Sequence, residues 1–496
     1  MKSKLFGILF LIETAALLAV AFVSWYYHDP DRNAFLITAA TTGLLGVILL
    51  IIGNRSRKSE FRQRDSFFVV SLSWVLMSAF GMIPFLLCGS LDAVGDAFFE
   101  TMSGFTATGF TTLHVIDGQP HGILLWRSLT QWLGGLGIIV FTLAFVPSIA
   151  KGSRKMSMFA AEAPGISIEK LSPTMQGTAR ILWIIYIVLT VVCTLFYWMG
   201  PMDLFDAVCH SMTTIATGGF STHNACMGYF QSRYLEYVGS FFMLISSLNF
   251  SIHYFFAMRR FDVVRKNEEM RAFVLSVVIM AALFFALFYL APVIEGTTEQ
   301  QIAAYPQGAQ DKFCTSLFHV VNVFSSTGYQ ARYSNYDNWG ILFLIPTVLM
   351  MIVGGCAGST SGGIKMARVL VLFKFIKNEI RKLIHPTGIY SVKISDQSIG
   401  METLSRVCVY MAFYLMIMVF STIALSALGI PINDAMVSIA SCFSNFGIGS
   451  GATGPTACIG DLPAAAKWIL SFVMLVGRLE IFTVLILFTR SFWKTN

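Results

Sequence analysis

The stretch "TATGF" at residues 106–110 decides the fold, because something close to it returns at a nearly fixed stride. It comes back as "TGGF" at 217–220 and "STGY" at 326–329, with a weaker echo, "NFGI", at 445–448. The glycine before the large residue is Gly109, Gly219, Gly328 and Gly447, at intervals of 110, 109 and 119 residues. A stride of this size marks an internal repeat. The likeness extends upstream. Asp96, Asp206, Thr315 and Asp434 stand thirteen residues before the glycines, and Glu100, His210, His319 and Ser438 stand nine before.

Composition sets the solvent in which the repeat works. Of 496 residues, 55% are hydrophobic and only 12% charged, and the mean hydropathy is +0.69. Soluble domains carry about a quarter charged residues. Ten apolar runs are long enough to cross a bilayer, near 5–27, 34–53, 67–90, 122–147, 180–200, 234–257, 272–294, 339–375, 402–428 and 464–488. Each meets the roughly 20 residues a spanning helix needs. The first run follows "MKSK", is too long for a secretory signal and lacks a cleavage site, so it reads as a retained span.

Lysine and arginine then orient the chain. Of 34, 27 fall in the N-terminus, 54–66, 151–180, 259–271, 365–406 and the C-terminal tail, six fall on the opposite face, and Arg478 lies within the last run. By the positive-inside bias both termini face the cytoplasm. The net charge of +7 is thereby a topology signal. It is no nucleic-acid patch, since no basic stripe alternates with stacking aromatics. The nine cysteines stand singly, without metal-like spacing, and read as buried small hydrophobes.

Segments such as "DAFFETMSGF" (96–105) and "DAVCHSMTTI" (206–215) are too short to span. With Asp as a natural N-cap, each reads as a short helix starting near the outer face. The spans on either side have their other ends on the cytoplasmic side, so the short helix must dip in and return. The expected fold is an all-α polytopic membrane protein: two leading helices, then four pseudo-symmetric helix–pore-helix–filter loop–helix repeats around a central pore. The expected divisions are 1–66 for the leading pair, 67–150 for repeat one and 151–265 for repeat two with its preceding linker. Repeat three, with an intramembrane loop, takes 266–385, and repeat four 386–496.

Non-helical backbone at membrane depth survives only where it is buried in protein or lines a watery cavity. Four such loops around an axis can aim rings of carbonyls inward in place of an ion's hydration shell. Glycine gives the needed backbone freedom, Ser and Thr add hydroxyls, and the negative ends of four short helices favour a cation. Helix-packing glycines would instead lie four apart within long spans.

Three further features bear on control. "GGCAGSTSGG" (354–363) interrupts the eighth run with Gly354, Gly355, Gly358, Gly362 and Gly363. Such a stretch unwinds, and just inside the filter it can act as a gate or merely as a packing kink. It is no phosphate loop, because Ile364 and Lys365 follow Gly363 instead of Lys then Ser or Thr. Arg478, at membrane depth, needs water or a partner. It is expected toward the pore below the filter, where it raises the barrier to cations, with a structural pairing as the alternative. Glu100 either attracts cations or braces its pore helix.

On these residues the chain resembles the Trk/Ktr/HKT superfamily of potassium transporters, and within it the bacterial TrkH/TrkG type. The resemblance rests on "FETMSGFTATG", "SLTQWLGGLGIIV", "AEAPG", "TARILWIIY", "ATGGFSTHN", "NFSIHY", "GGCAGSTSGGIK" and "GRLEIFT". It implies a potassium-binding filter made of Thr106, Ala107, Thr108 and Gly109; Ala216, Thr217, Gly218 and Gly219; Ser325, Ser326, Thr327 and Gly328; and Ser444, Asn445, Phe446 and Gly447. It also implies a homodimer in a bacterial inner membrane, and a cytoplasmic TrkA-type regulatory ring that would carry any nucleotide, NAD or ATP/ADP. Glycine at all four anchors resembles potassium-selective members, whereas sodium-preferring plant relatives carry serine in the first. The chain departs from the family at Gly447-Ile448-Gly449, where relatives read Gly-Pro-Gly.

Channel-like potassium uptake is the function expected. The alternatives are the membrane subunit of an ATP-driven potassium pump, as in KdpA-type relatives, and a sodium-permeable transporter of the same superfamily. An enzyme is not expected, since no catalytic triad, zinc cluster or paired intramembrane carboxylates occur. An alternating-access carrier predicts two inverted halves with broken helices, not four re-entrant loops.

Overall fold

The computed structural model describes residues 2–55, 63–150, 175–294, 305–388, 390–395, 397–455 and 457–494. The "AEAPG" motif (161–165) and the basic residues within 56–62 and 151–174 lie outside them.

The leading pair is α1 (Lys2–Tyr26) and α2 (Arg32–Arg55). Small residues let them approach closely, the way helices associate in lipid. A Cβ on Gly7 would lie 2.8 Å from the Gly46 carbonyl oxygen, and the Thr14 and Thr42 hydroxyls meet at 2.9 Å.

Each repeat then shows the same grammar of span, short helix, loop and span. Repeat one comprises α3 (Gln63–Gly81) with its continuation α4 (Ile83–Leu87), α5 (Val94–Phe105) and α6 (His121–Ala150). Repeat two comprises α7 (Met175–Trp198), α8 (Leu204–Ile215), α9 (Arg233–Ser246) and α10 (Phe250–Ala257). A connecting turn, α11 (Phe261–Lys266), leads into repeat three: α12 (Glu268–Ile294), α13 (Ala309–Phe324), α14 (Ile341–Val353) and α15 (Met366–Ile384). A small antiparallel hairpin, β1 (Val392–Ile394) and β2 (Gln397–Ile399), precedes repeat four. That repeat is α16 (Met401–Ala427), α17 (Ile432–Ser444) and α18 (Ala464–Arg478).

The short helices α5, α8, α13 and α17 have 12, 12, 16 and 13 residues, all below spanning length. Their aspartates do not cap them as expected. Asp96, Asp206 and Asp434 lie inside the first turn, behind Ala93, Asp203 and Pro431 as caps. Of these three caps only Asp203 accepts a capping bond, from the Asp206 amide at 2.6 Å. A first-turn carboxylate still faces the positive end of the helix, which explains why the residue type recurs there.

Two runs that read as single spans are bent. The 233–257 pair turns by 97° between α9 and α10, and the last run turns by 112° after Arg478. The backbone freed at the first bend is not wasted, because the Cys356 amide donates to Ser247 O and the Phe250 amide to Gly358 O. The loop of repeat three thus inserts into the break and satisfies it. At the second bend Glu480 and Ile481 adopt positive φ of 56° and 25°, and Glu480 pairs with Arg368 at the start of α15.

Two apolar clusters form the interior. One joins the leading pair to repeats one and four through residues such as Leu17, Phe99, Trp126, Phe443 and Leu470. The other joins repeats two and three through Tyr186, Phe242, Phe318 and Trp339. The glycine loops lie where these clusters meet.

Candidate ion pathway and gate

All four pore helices end in the same way. The amides of Thr108, Gly218, Thr327 and Phe446 each reach back five residues, to the carbonyls of Ser103, Thr213, Asn322 and Ser441, at 2.8–3.0 Å. The residues before them, Ala107, Thr217, Ser326 and Asn445, have φ of 52°, 53°, 53° and 53°. This is a Schellman ending with a left-handed residue just past the helix. It turns the chain out of the helix at one common angle, and Asn445 is among the non-glycine types that tolerate it best.

The glycines then close a ring. Their φ values are 96°, 80°, 79° and 83° for Gly109, Gly219, Gly328 and Gly447. A Cβ on Gly109 would overlap Gly218 O, one on Gly219 would overlap Thr327 O, one on Gly328 Phe446 O, and one on Gly447 Thr108 O. Each glycine therefore packs on the carbonyl preceding the next repeat's glycine, and the fourth returns to the first. The structure brings the sixteen residues 106–109, 216–219, 325–328 and 444–447 together, nearly all of them buried.

Side chains brace each quarter. Gln131 donates to Gly218 O at 2.7 Å and accepts from the Phe220 amide at 3.1 Å. Asn322 does the same for the carbonyl and amide of Tyr329, both at 2.8 Å. Ser103 Oγ accepts from Gly109 N and Ser441 Oγ from Ile448 N, each at 3.1 Å. The last bond explains the departure at Ile448: a proline has no amide hydrogen to give, so the turn is fixed by a hydrogen bond instead of a ring. Tyr336 Oη, donating to Gly449 O, holds the following residue.

Glu100 braces. It accepts from Arg127 Nε at 2.8 Å and from the Thr112 amide at 2.7 Å, and both side chains of the ion pair are almost wholly buried. Arg127 also donates to Ser221 O at 2.7 Å and lies over the Phe220 ring, joining repeats one and two. His210 and His319 are buried and satisfied by Ser221 and Thr347.

On the glycine side the ring opens into a cleft of about 80 Å³, lined by all four glycines, Arg127, Gln330 and His223. His223 bridges two repeats, with Nδ1 2.8 Å from Asp117 and Nε2 3.1 Å from Asp206. Burial opposes its charge, but the hydrogen bonds to Asp206 and Asp117 outweigh this and hold its pKa above the ordinary value.

On the helix side lies the loop of residues 354–363. The Gly362 amide donates to Ser326 Oγ at 2.6 Å, and Thr360 Oγ1 donates to Ile215 O at 3.1 Å. A Cβ on Gly362 would overlap Ser444 O. The loop thus touches the undersides of repeats two, three and four. Gly354, Gly358 and Gly363 take φ of 68°, 73° and 79°, while Gly355 packs against Ser361 and Ser247 O. Arg478, 3% exposed, clamps the loop from the remaining side: Nη1 donates to Thr360 O at 2.7 Å and Nη2 to Gly134 O at 3.3 Å. Arg478 lies at the end of α18 and not midway along a continuous span.

Sequence reading singled out neither Gln131 nor Asn322, although Gln131 falls inside the quoted "SLTQWLGGLGIIV". It also missed Glu269 in α12, which is buried and accepts from the Ala357 amide at 2.6 Å and the Ala367 amide at 3.2 Å. One carboxylate therefore holds both the loop and the start of the helix that leaves it. Nothing in the repeat pattern marks that residue.

Comparison with known proteins places this architecture. The family model described as "TrkH: Cation transport protein" matches residues 32–495. The Trk system potassium uptake protein TrkH of Escherichia coli K12 is 34% identical over 99% of both chains. TrkG of the same strain is 32% identical over 99% of this chain and 97% of its own. The crystal structure of the potassium transporter TrkH from Vibrio parahaemolyticus superposes with a TM-score of 0.87 at 33% identity, covering 99% of each chain. The chain belongs to the TrkH family of cation transport proteins.

Proposed function

We propose that this protein takes up potassium through the four-glycine ring, by channel-like passage under a gate formed by residues 354–363 and Arg478. The observation that carries this reading is the closed ring in which each glycine packs on the next repeat's carbonyl. Such a ring fixes the spacing of backbone oxygens, and fixed spacing lets carbonyls stand in for the water around one size of cation. The buried loop directly beneath it, clamped by a guanidinium, obstructs the path and repels cations until moved.

The lysine and arginine bias supports both termini in the cytoplasm of a bacterial cell, with the loop on that side of the filter. The exposed apolar residues at the end of α15, Ile380, Leu383 and Ile384, stand among the basic residues of 365–406 that the lysine and arginine bias places on the cytoplasmic side, which supports a second copy as their partner. A TrkA-type ring against the same face would supply nucleotide control. The test is uptake into proteoliposomes under a negative-inside potential. Potassium and rubidium should enter while sodium stays out, and equal entry of sodium would overturn the selectivity.

A further inference from the structure

A basic cleft of about 440 Å³ lies between α11, the start of α12, α15 and the β-hairpin. It is lined by Arg265, Lys266, Arg271, Lys374 and Lys393, with Ser395 and a single acid, Glu268. Glu268 is already taken: it pairs with Lys374 and accepts from the Ser395 amide at 3.2 Å. Lys374 donates in addition to Lys393 O at 2.7 Å. The side chains of Arg265, Lys266, Arg271 and Lys393 make no hydrogen bond or ion pair with another described residue.

We propose that this cleft binds a phosphate-bearing anion, with the headgroup of an anionic phospholipid as the favoured source. Three observations carry it. Four cations that line one cleft, with Glu268 as its single acid, repel one another, and a dianionic or monoanionic phosphate relieves that repulsion. Two of the four are arginines, whose planar forks match phosphate oxygens in pairs. The cleft opens at the end of a spanning helix, on the face that the lysine and arginine bias assigns to the cytoplasm, where anionic headgroups concentrate. The cleft also adjoins the gate: Glu268 faces it, and the next residue, Glu269, anchors the loop. An occupant of the cleft sits one residue away from that anchor.

The experiment uses the full-length protein in detergent, so it depends on neither transport nor orientation. Binding of short-chain phosphatidylglycerol is measured by thermal shift and titration, with short-chain phosphatidylcholine as the neutral control. Inorganic phosphate and glycerol phosphate form the soluble arm. The variant Arg271→Gln/Lys393→Gln removes two cleft cations, and Arg490→Gln/Lys494→Gln removes two from the C-terminal tail.

Phosphatidylglycerol should bind the unaltered protein and the tail variant alike. Binding to the cleft variant should weaken about thirtyfold, the worth of two cations beside an anionic surface. Equally tight, cleft-dependent binding of soluble phosphate would support the site with a soluble source. The proposal is overturned if neither phosphate form binds, or if the cleft and tail variants lose affinity equally.

Discussion

Replacing Arg478 by Met keeps the length of the side chain and removes its clamp on the loop. The bond that matters is Nη1 to Thr360 O at 2.7 Å; the contact with Gly134 O, at 3.3 Å, is long, and Nε has no partner among the described residues. A hydrogen bond to a charged group contributes about 1.5–3 kcal/mol net. Taking only the short bond, the balance between closed and open loop moves by a factor of about 10–100, at roughly 1.4 kcal/mol per tenfold. If the open state holds about 1% of the resting protein, within the range of minor states, the variant opens to between about a tenth and a half. Rubidium uptake into proteoliposomes without a partner subunit should therefore rise at least about tenfold. Arg478→Lys keeps the charge but loses the fork, and should fall between. An Arg478→Met protein that melts normally yet takes up rubidium at the unaltered rate would refute the clamp.

Glu269→Ala frees one amide of the loop and one at the start of α15 and should raise basal uptake, with Glu269→Gln between it and the unaltered protein because a neutral acceptor holds about half as strongly; a ranking in which Gln and unaltered protein coincide argues against the anchor. Glu100→Gln leaves Arg127 buried without its counter-charge and should cost about 3–5 kcal/mol, visible as a fall in melting temperature, while Glu100→Gln/Arg127→Met recovers most of it. His223 has a raised pKa in the folded protein, so its contribution is complete below the unfolded value of about 6.5 and is lost as pH rises through the folded one. Melting temperature should thus decline across that window, and His223→Gln should flatten the decline; equal slopes in both proteins would remove His223 as the cause.

The repeat made the fold legible. Gly109, Gly219, Gly328 and Gly447 recur because a position with positive φ against a neighbouring carbonyl strains any larger residue, so the constraint is written in the residue itself. The loop of residues 354–363 was legible for a like reason, since five glycines cannot hold a spanning helix. The bend between α9 and α10 was not legible: residues 234–257 read as one apolar run, and the break is satisfied by Gly358 and Cys356 from a different repeat. Gln131, Asn322 and Glu269 were hidden likewise, because a bracing side chain is identified by what it meets in the folded chain: Gln131 meets repeat two, and Asn322 and Glu269 meet backbone farther along repeat three. Asp96, Asp206 and Asp434 marked the right end of their pore helices, but through the helix dipole and not as caps, whereas in repeat three Thr315 lies in the middle of α13 and Asp311 holds the first turn.

The most direct test of the glycine ring is ion preference after a substitution that fills one contact, Gly109→Ser, measured as potassium against sodium uptake in proteoliposomes. The serine must take up a φ near 96° and push against Gly218 O, which Gln131 holds in place. The account predicts that potassium preference erodes while the protein remains folded and sodium begins to enter. Undiminished preference in a folded Gly109→Ser protein would contradict it.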